Sequence, residues 1–168
     1  FTINLKYNEK LDKLKIILIN DVITKMFDMV LINIDEQLMD IPKVDYSADI
    51  TMKSSQFKDY ITEITKFGLD LTVDCSEESI IMLTKGEMGD YRVILPQDTL
   101  EEFLMEENEN VLVSFNLSYI KFISNLVKAN KLLTFNVSNE FPMRLSYSLD
   151  ENNKNNKIDF YIAPKIVE

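Results

Sequence analysis

Histidine and tryptophan are absent from this 168-residue chain, which has one cysteine, three glycines and four prolines. Without histidine there is no Ser–His or Cys–His couple and no His-ligated zinc site. Three glycines are too few for a phosphate-cradling loop. The single thiol, Cys75, excludes an internal disulfide framework and suits a reducing compartment. It alternates with Leu71 and Val73, which reads as a small buried hydrophobe on a strand. No apolar run is long enough to span a membrane as a helix, so no membrane partner is expected. The chain opens on Phe1 with alternating polarity and no basic stretch, which predicts that no signal peptide is present and that the sequence starts inside a larger product. Carboxylates are plentiful, but a catalytic pair must converge in a cleft with split pKa values, and nothing in the spacing points to one. The reading is a non-enzyme with no cofactor and no metal.

What is present suits a packed core. Hydrophobic residues make up 46% and charged residues 27%, outside the disordered regime. Phe1, Ile3, Leu5 and Tyr7 alternate with polar residues as in a half-buried strand. Leu14 to Ile19 reads as a second strand, and a third runs from Phe27 to about Ile34. Residues 35–45 break the periodicity and read as an extended connector. From there the chain repeats one unit, strand–helix–strand–strand–strand, from Tyr46 to Pro96 and again from Val111 to Pro164. In the first unit Ser54 or Ser55 is placed to cap a helix carrying Phe57, Tyr60, Ile61 and Ile64, with Gly68 as its left-handed terminator. In the second, Ile120, Ile123, Leu126 and Val127 point inward. Between the units, residues 97–110 carry six acids and no base, which reads as a solvated linker. The fold class expected is α+β, with two helices on one face of antiparallel strands.

The net charge of −10 repels nucleic acid, so any contact with it must come from a local positive surface. The second helix supplies one: between Val111 and Ser138 the only charges are Lys121, Lys128 and Lys131. Lys121 and Lys128, seven apart, are expected on one face with Ser124 and Asn125. An ordinary solvated helix face is the competing reading. On the first helix Lys58 and Lys66 are offset by Asp59 and Glu63. Two further surfaces are candidates for a partner peptide. One is the connector, with Leu38, Met39 and Ile41; the other is the run Tyr161-Ile162-Ala163-Pro164-Lys165-Ile166, whose proline ends a strand and leaves backbone groups for pairing.

Several segments, in order and spacing, carry a resemblance. They are Asp35-Glu36-Gln37-Leu38 with Ile41-Pro42 and Tyr46-Ser47, then Ser54-Ser55-Gln56-Phe57, Gly86-Glu87-Met88-Gly89 and Leu117-Ser118-Tyr119-Ile120-Lys121-Phe122. The last is Phe160-Tyr161-Ile162-Ala163-Pro164-Lys165-Ile166. Over nearly its full length the chain resembles the proliferating cell nuclear antigen family, the eukaryotic-type DNA sliding clamps. The resemblance implies the DNA clamp fold. Residues 1–34 would be the last strands of a truncated clamp domain, 35–45 the interdomain connector and 46–168 the C-terminal clamp domain.

It also implies a homotrimeric ring around duplex DNA, placed on it by a clamp loader, acting in the nucleus or at a viral replication site. Such a ring tethers DNA polymerase and recruits repair enzymes through short peptides ending in paired aromatics. By matching position, the peptide pocket would use Leu38, Ile41, Pro42, Tyr46, Pro142, Tyr161, Ala163 and Pro164. Lys58, Lys66, Lys121, Lys128 and Lys131 would face DNA without reading its sequence. The subunit interface would pair the strand holding Phe27, Met29 and Leu31 with the strand holding Tyr91, Val93 and Leu95 of a neighbour. Some positions depart from the family: Asp59 and Thr62 replace arginines, and Glu77 stands where the family modifies a lysine with ubiquitin. Two alternatives stand beside it: a checkpoint-type subunit of a hetero-oligomer, which keeps the fold, and, in another class, a viral clamp-like scaffold that binds transcription or replication proteins without encircling DNA.

Overall fold

The structure, a computed structural model, describes residues 1–8, 12–32, 44–150 and 155–166. Two compact units divide the chain, within residues 1–42 and 43–168. The first is an antiparallel sheet ordered β1 (Thr2–Asn8), β2 (Lys13–Ile19), β3 (Thr24–Val30). Its register stacks Leu5, Ile16 and Phe27 in one row and Tyr7, Leu14 and Met29 in the next, so one face is apolar. The third strand ends at Val30, earlier than the apolar run suggests. The connector residues Leu38, Met39, Ile41 and Pro42 lie outside the described residues.

The second unit holds nine strands and two helices among the described residues. In chain order these are β4 (Ala48–Lys53), α1 (Ser54–Ile64), β5 (Asp70–Cys75), β6 (Ser79–Gly86), β7 (Gly89–Pro96) and β8 (Glu102–Met105). There follow β9 (Val111–Asn116), α2 (Leu117–Ser124), β10 (Leu132–Val137), β11 (Met143–Ser148) and β12 (Lys157–Ile162). One sheet runs β12-β11-β10-β4-β8 and the other β7-β6-β5-β9. The repeated units therefore exchange their first strands: β4 pairs with β10, and β9 pairs with β5.

The burial pattern follows from the strand period of two. Leu71, Val73 and Cys75 on β5, Leu133, Phe135 and Val137 on β10, and Met143, Leu145 and Tyr147 on β11 are all buried. Burial, with Asp74 nearby, pushes the Cys75 thiol up to about 12, which keeps it protonated and unreactive. On the helices Phe57, Ile61, Ile64, Leu117, Ile120 and Ile123 are buried at helical spacing, while Tyr60, Leu126 and Val127 are half-buried. α1 packs on α2 and also touches β4, β7 and β10, so the core spans both repeats.

Four expectations are corrected. Residues 97–110 are not simply a linker: after a 3₁₀ turn at Gln97–Thr99, β8 pairs with β4, with Phe103 and Met105 half-buried against the core. Neither serine caps α1. Lys53 is the N-cap without a side-chain bond, and Ser54 is buried in the first turn. Its hydroxyl donates to the carbonyls of Asn130 (2.6 Å) and Lys131 (3.1 Å), tying α1 to the loop before β10. Gly68 is not left-handed. A Cβ there would meet Thr84 Oγ1 at 2.1 Å and the Lys85 carbonyl at 2.8 Å, so the need is for close approach. Finally, α2 ends at Ser124 and passes into a 3₁₀ turn, Asn125–Lys128, with Leu126 off helical geometry (φ −78°, ψ 18°).

Candidate functional site

The sheet containing β11 and β12 carries a row of outward residues that align across the strands: Leu104, Asp49, Asn136, Arg144 and Tyr161. Alternation puts these opposite the core, and hydrogen bonds lock them. The Asn136 amide, itself buried, donates to the Asp49 carboxylate, and Arg144 Nε donates to Asn136 Oδ1 at 2.9 Å. The Arg144 guanidinium then lies 5.4 Å from the centre of the Tyr46 ring, a cation–π contact. The Tyr46 hydroxyl donates to the Pro142 carbonyl at 3.1 Å. Burial pushes the Tyr46 phenol above its ordinary value, with Arg144 opposing, so the ring stays neutral.

Of the residues predicted for a peptide pocket, the structure brings Tyr46, Pro142 and Tyr161 around Arg144. Met143 pairs with Ile162, which puts Pro142 and Ala163 at the same end of the β11–β12 hairpin. Tyr161 and Ala163 are exposed, whereas Tyr46, Pro142 and Pro164 are half-buried. Leu38, Ile41 and Pro42 fall outside the described residues. The result is an aromatic and proline surface on a rigid polar footing.

The residues missed by sequence reading are Asp49, Asn136 and Arg144. Their signal was a polar side chain at an outward position of a strand whose inward face is apolar, but the cross-strand alignment that joins them is non-local. The tail also differs from expectation, because its backbone is not free along its length: the Lys165 N–H donates to the Ser114 carbonyl at 2.7 Å.

Asp159 supports this sheet from the next outward row. Its burial opposes ionisation, but the Ser146 hydroxyl (2.6 Å), Lys157 (2.9 Å) and Arg144 outweigh that and hold the carboxyl below its ordinary 3.8. A depressed folded pKa means that the stabilisation is present above the unfolded value and lost as pH falls through the folded one. Asp159→Asn is therefore expected to lower stability at pH 7 by about 1 kcal/mol and to flatten the fall in stability below about pH 4. Urea midpoints at pH 7 and pH 3 check this.

The basic surface is less uniform than its spacing implied. Lys121, Lys128 and Lys131 are exposed, but they belong to α2, the 3₁₀ turn and the following loop, not to one continuous helix. Ser124 is buried, with its hydroxyl donating to the Lys121 carbonyl, so it leaves the exposed face. The exposed face also carries Tyr119 and Phe122, which border an apolar groove of about 490 Å³ against β12. On α1, Lys58 is half-buried, while Lys66 lies exposed beyond the helix end.

Within their own sheets β3 and β7 are both edge strands. Phe27, Met29 and Leu31 are exposed, with Leu31 just past the end of β3. On β7, Tyr91 and Val93 are half-buried and Leu95 is buried in its own core, so Leu95 can offer a neighbour only its backbone. The Tyr91 ring stacks on Phe67 at 5.1 Å and its hydroxyl donates to Glu63, a bond that, ahead of burial, raises the phenol's pKa. Glu77 has a structural contact of its own: its carboxylate accepts the N–H of Asn108, fixing the turn before β9.

Residues 40–165 match the family described as "Proliferating cell nuclear antigen, C-terminal domain". Among curated proteins, "Proliferating cell nuclear antigen 2" of Drosophila melanogaster is 29% identical over 143 residues, covering 85% of this chain and 55% of that protein. "Proliferating cell nuclear antigen" of Chaetomium thermophilum is 31% identical over 148 residues, covering 83% of this chain and 55% of that protein. The chain thus spans about half the length of these relatives. With antiparallel sheets, two helices and a match over three-quarters of its residues, the chain belongs to the proliferating cell nuclear antigen family and has the α+β DNA clamp fold.

Proposed function

We propose that this chain is the working C-terminal part of a DNA polymerase processivity factor. In this reading the complete protein forms a sliding clamp that encircles duplex DNA and recruits replication and repair proteins by short peptides. Residues 1–34 are the closing strands of a preceding domain, and edges β3 and β7 of neighbouring subunits pair to close a trimer. The observation that carries the reading is family membership over residues 40–165; the Tyr46–Pro142–Arg144–Tyr161 cluster supports it, since Tyr46, Pro142 and Tyr161 are positions that the resemblance assigns to a peptide pocket. The protein does no chemistry of its own and works in the nucleus or at a viral replication site.

The deciding experiment is retention of the complete protein on nicked circular DNA in high salt after loading. Retention that disappears on linearising the circle is expected for encirclement. No retention on either form would overturn it. Lys121→Glu with Lys128→Glu is expected to reduce processive synthesis several-fold while leaving the melting temperature unchanged, because sequence-blind attraction to phosphates is then reversed locally. Unchanged processivity would remove the basic lining from the account.

A second reading is favoured by the exposed Tyr119 and Phe122 and by the charge balance of α1. These suit a clamp-like scaffold that binds partners without encircling DNA. Peptide binding with no retention on DNA is its signature.

A further inference from the structure

The tail after β12 is fixed at both ends. Ile162, buried, closes the β11–β12 ladder opposite Met143. Three residues later Lys165 is fastened to the other sheet at two points: its N–H to the Ser114 carbonyl of β9 at 2.7 Å, and its Nζ to Asp70 Oδ2 of β5 at 2.5 Å. The strand at the first point is itself held, since the hydroxyls of Ser114 and Thr72 share a hydrogen bond of 2.8 Å. Ala163 and Pro164 therefore bridge the two sheets as a short taut span. Pro164 has a fixed φ and no N–H, which removes further freedom.

We infer that Asp70 and Lys165 are positioning residues that latch the tail across the two sheets, holding Tyr161, Ala163 and Pro164 in the form a partner peptide meets. This rests on the peptide-binding reading above. Fixing a backbone residue costs conformational entropy. A span already fastened at both ends does not incur that cost again when a peptide docks. Asp70 touches no peptide in this account; it acts through Lys165. The pair is partly exposed, so its share is that of a surface ion pair added to a backbone hydrogen bond.

The test compares wild type with Asp70→Asn, Lys165→Gln, Lys165→Arg and the charge exchange Asp70→Lys with Lys165→Asp. Two quantities are read: the Kd of a synthetic peptide ending in paired aromatics, and amide exchange at Ala163, Lys165 and Ile166 in the peptide-free protein. Asp70→Asn is isosteric, and an unchanged melting temperature confirms that it folds. Asp70→Asn and Lys165→Gln are expected to weaken the peptide about two- to five-fold and to speed tail exchange in parallel. Lys165→Arg and the charge exchange are expected to restore both, and 0.5 M salt to narrow the differences. An unchanged Kd in Asp70→Asn, or a weakened Kd with unchanged tail exchange, overturns the latch alone. Failure of wild type to bind the peptide overturns the peptide-binding reading and the latch with it.

Discussion

Gly86→Ala is expected to cost the 43–168 unit about 3 kcal/mol or more and to lower its melting temperature on the order of 10 °C. A Cβ on Gly86 would lie 1.7 Å from the Phe67 carbonyl oxygen and 2.8 Å from its carbon. Both are backbone atoms, so no rotamer change relieves the overlap. Either the turn after α1 or the end of β6 must move. That movement would also disturb the Phe67–Tyr91 stack that sets the edge strand β7 against α1. Gly89 in the same hairpin supplies the control. Its φ is +127° and nothing lies within 4 Å of a built Cβ, so Gly89→Ala meets only backbone strain, about 1–2 kcal/mol. Thermal denaturation of the two variants separates the mechanisms. A Gly86→Ala protein melting like wild type would show that the turn and the hairpin do not approach this closely.

The second large effect is expected at Phe135. Its ring, on β10, lies 5.8 Å from that of Phe57 on α1, tilted by 39°, and both are buried. One belongs to each repeat, so the pair joins the halves inside the core. Phe135→Ala leaves a cavity between α1 and the larger sheet and is expected to cost about 3–5 kcal/mol. Phe57→Ala should cost a similar amount. A double-mutant cycle should give a coupling of about 0.5–1.5 kcal/mol, the part due to the rings meeting. Denaturant titrations check both values. A shift below 1 kcal/mol for Phe135→Ala would mean that the repeats hold together by other means.

Much of this was legible because strand and helix periods act locally. Leu71-Val73-Cys75 and Val111-Val113-Phe115 announce their buried faces without any knowledge of their neighbours. β8 was hidden by the acids around it, though Phe103 and Met105 do alternate and were the signal to follow. The end of α2 was hidden for another reason. Leu126 and Val127 continue the helical spacing, but the Ser124 hydroxyl and Asn125 amide both bond back to the Lys121 carbonyl, competing with the helix at its last turn. Ser54 read as a cap because caps are local, whereas its partners lie 76 and 77 residues away. The candidate site was legible only in part for the same reason. Tyr161, Ala163 and Pro164 lie within one short run of sequence, but the footing of Asp49, Asn136 and Arg144 exists only once distant strands align.

The exchange of first strands sets a timetable for synthesis. Thr51 and Thr134, joined at 3.0 Å across β4 and β10, are 83 residues apart. At about 5–20 residues per second, a ribosome needs roughly 4–17 seconds to go from one to the other. Throughout that interval β4 lacks its central partner, and for part of it β5 awaits β9, so Ile50 and Met52 stay uncovered throughout and the apolar side of β5 for part of the time. Such long-range pairing also slows folding once the chain is complete. A nascent chain of this design therefore shows apolar strand faces for seconds before their partners exist, the kind of surface that drives aggregation when left uncovered.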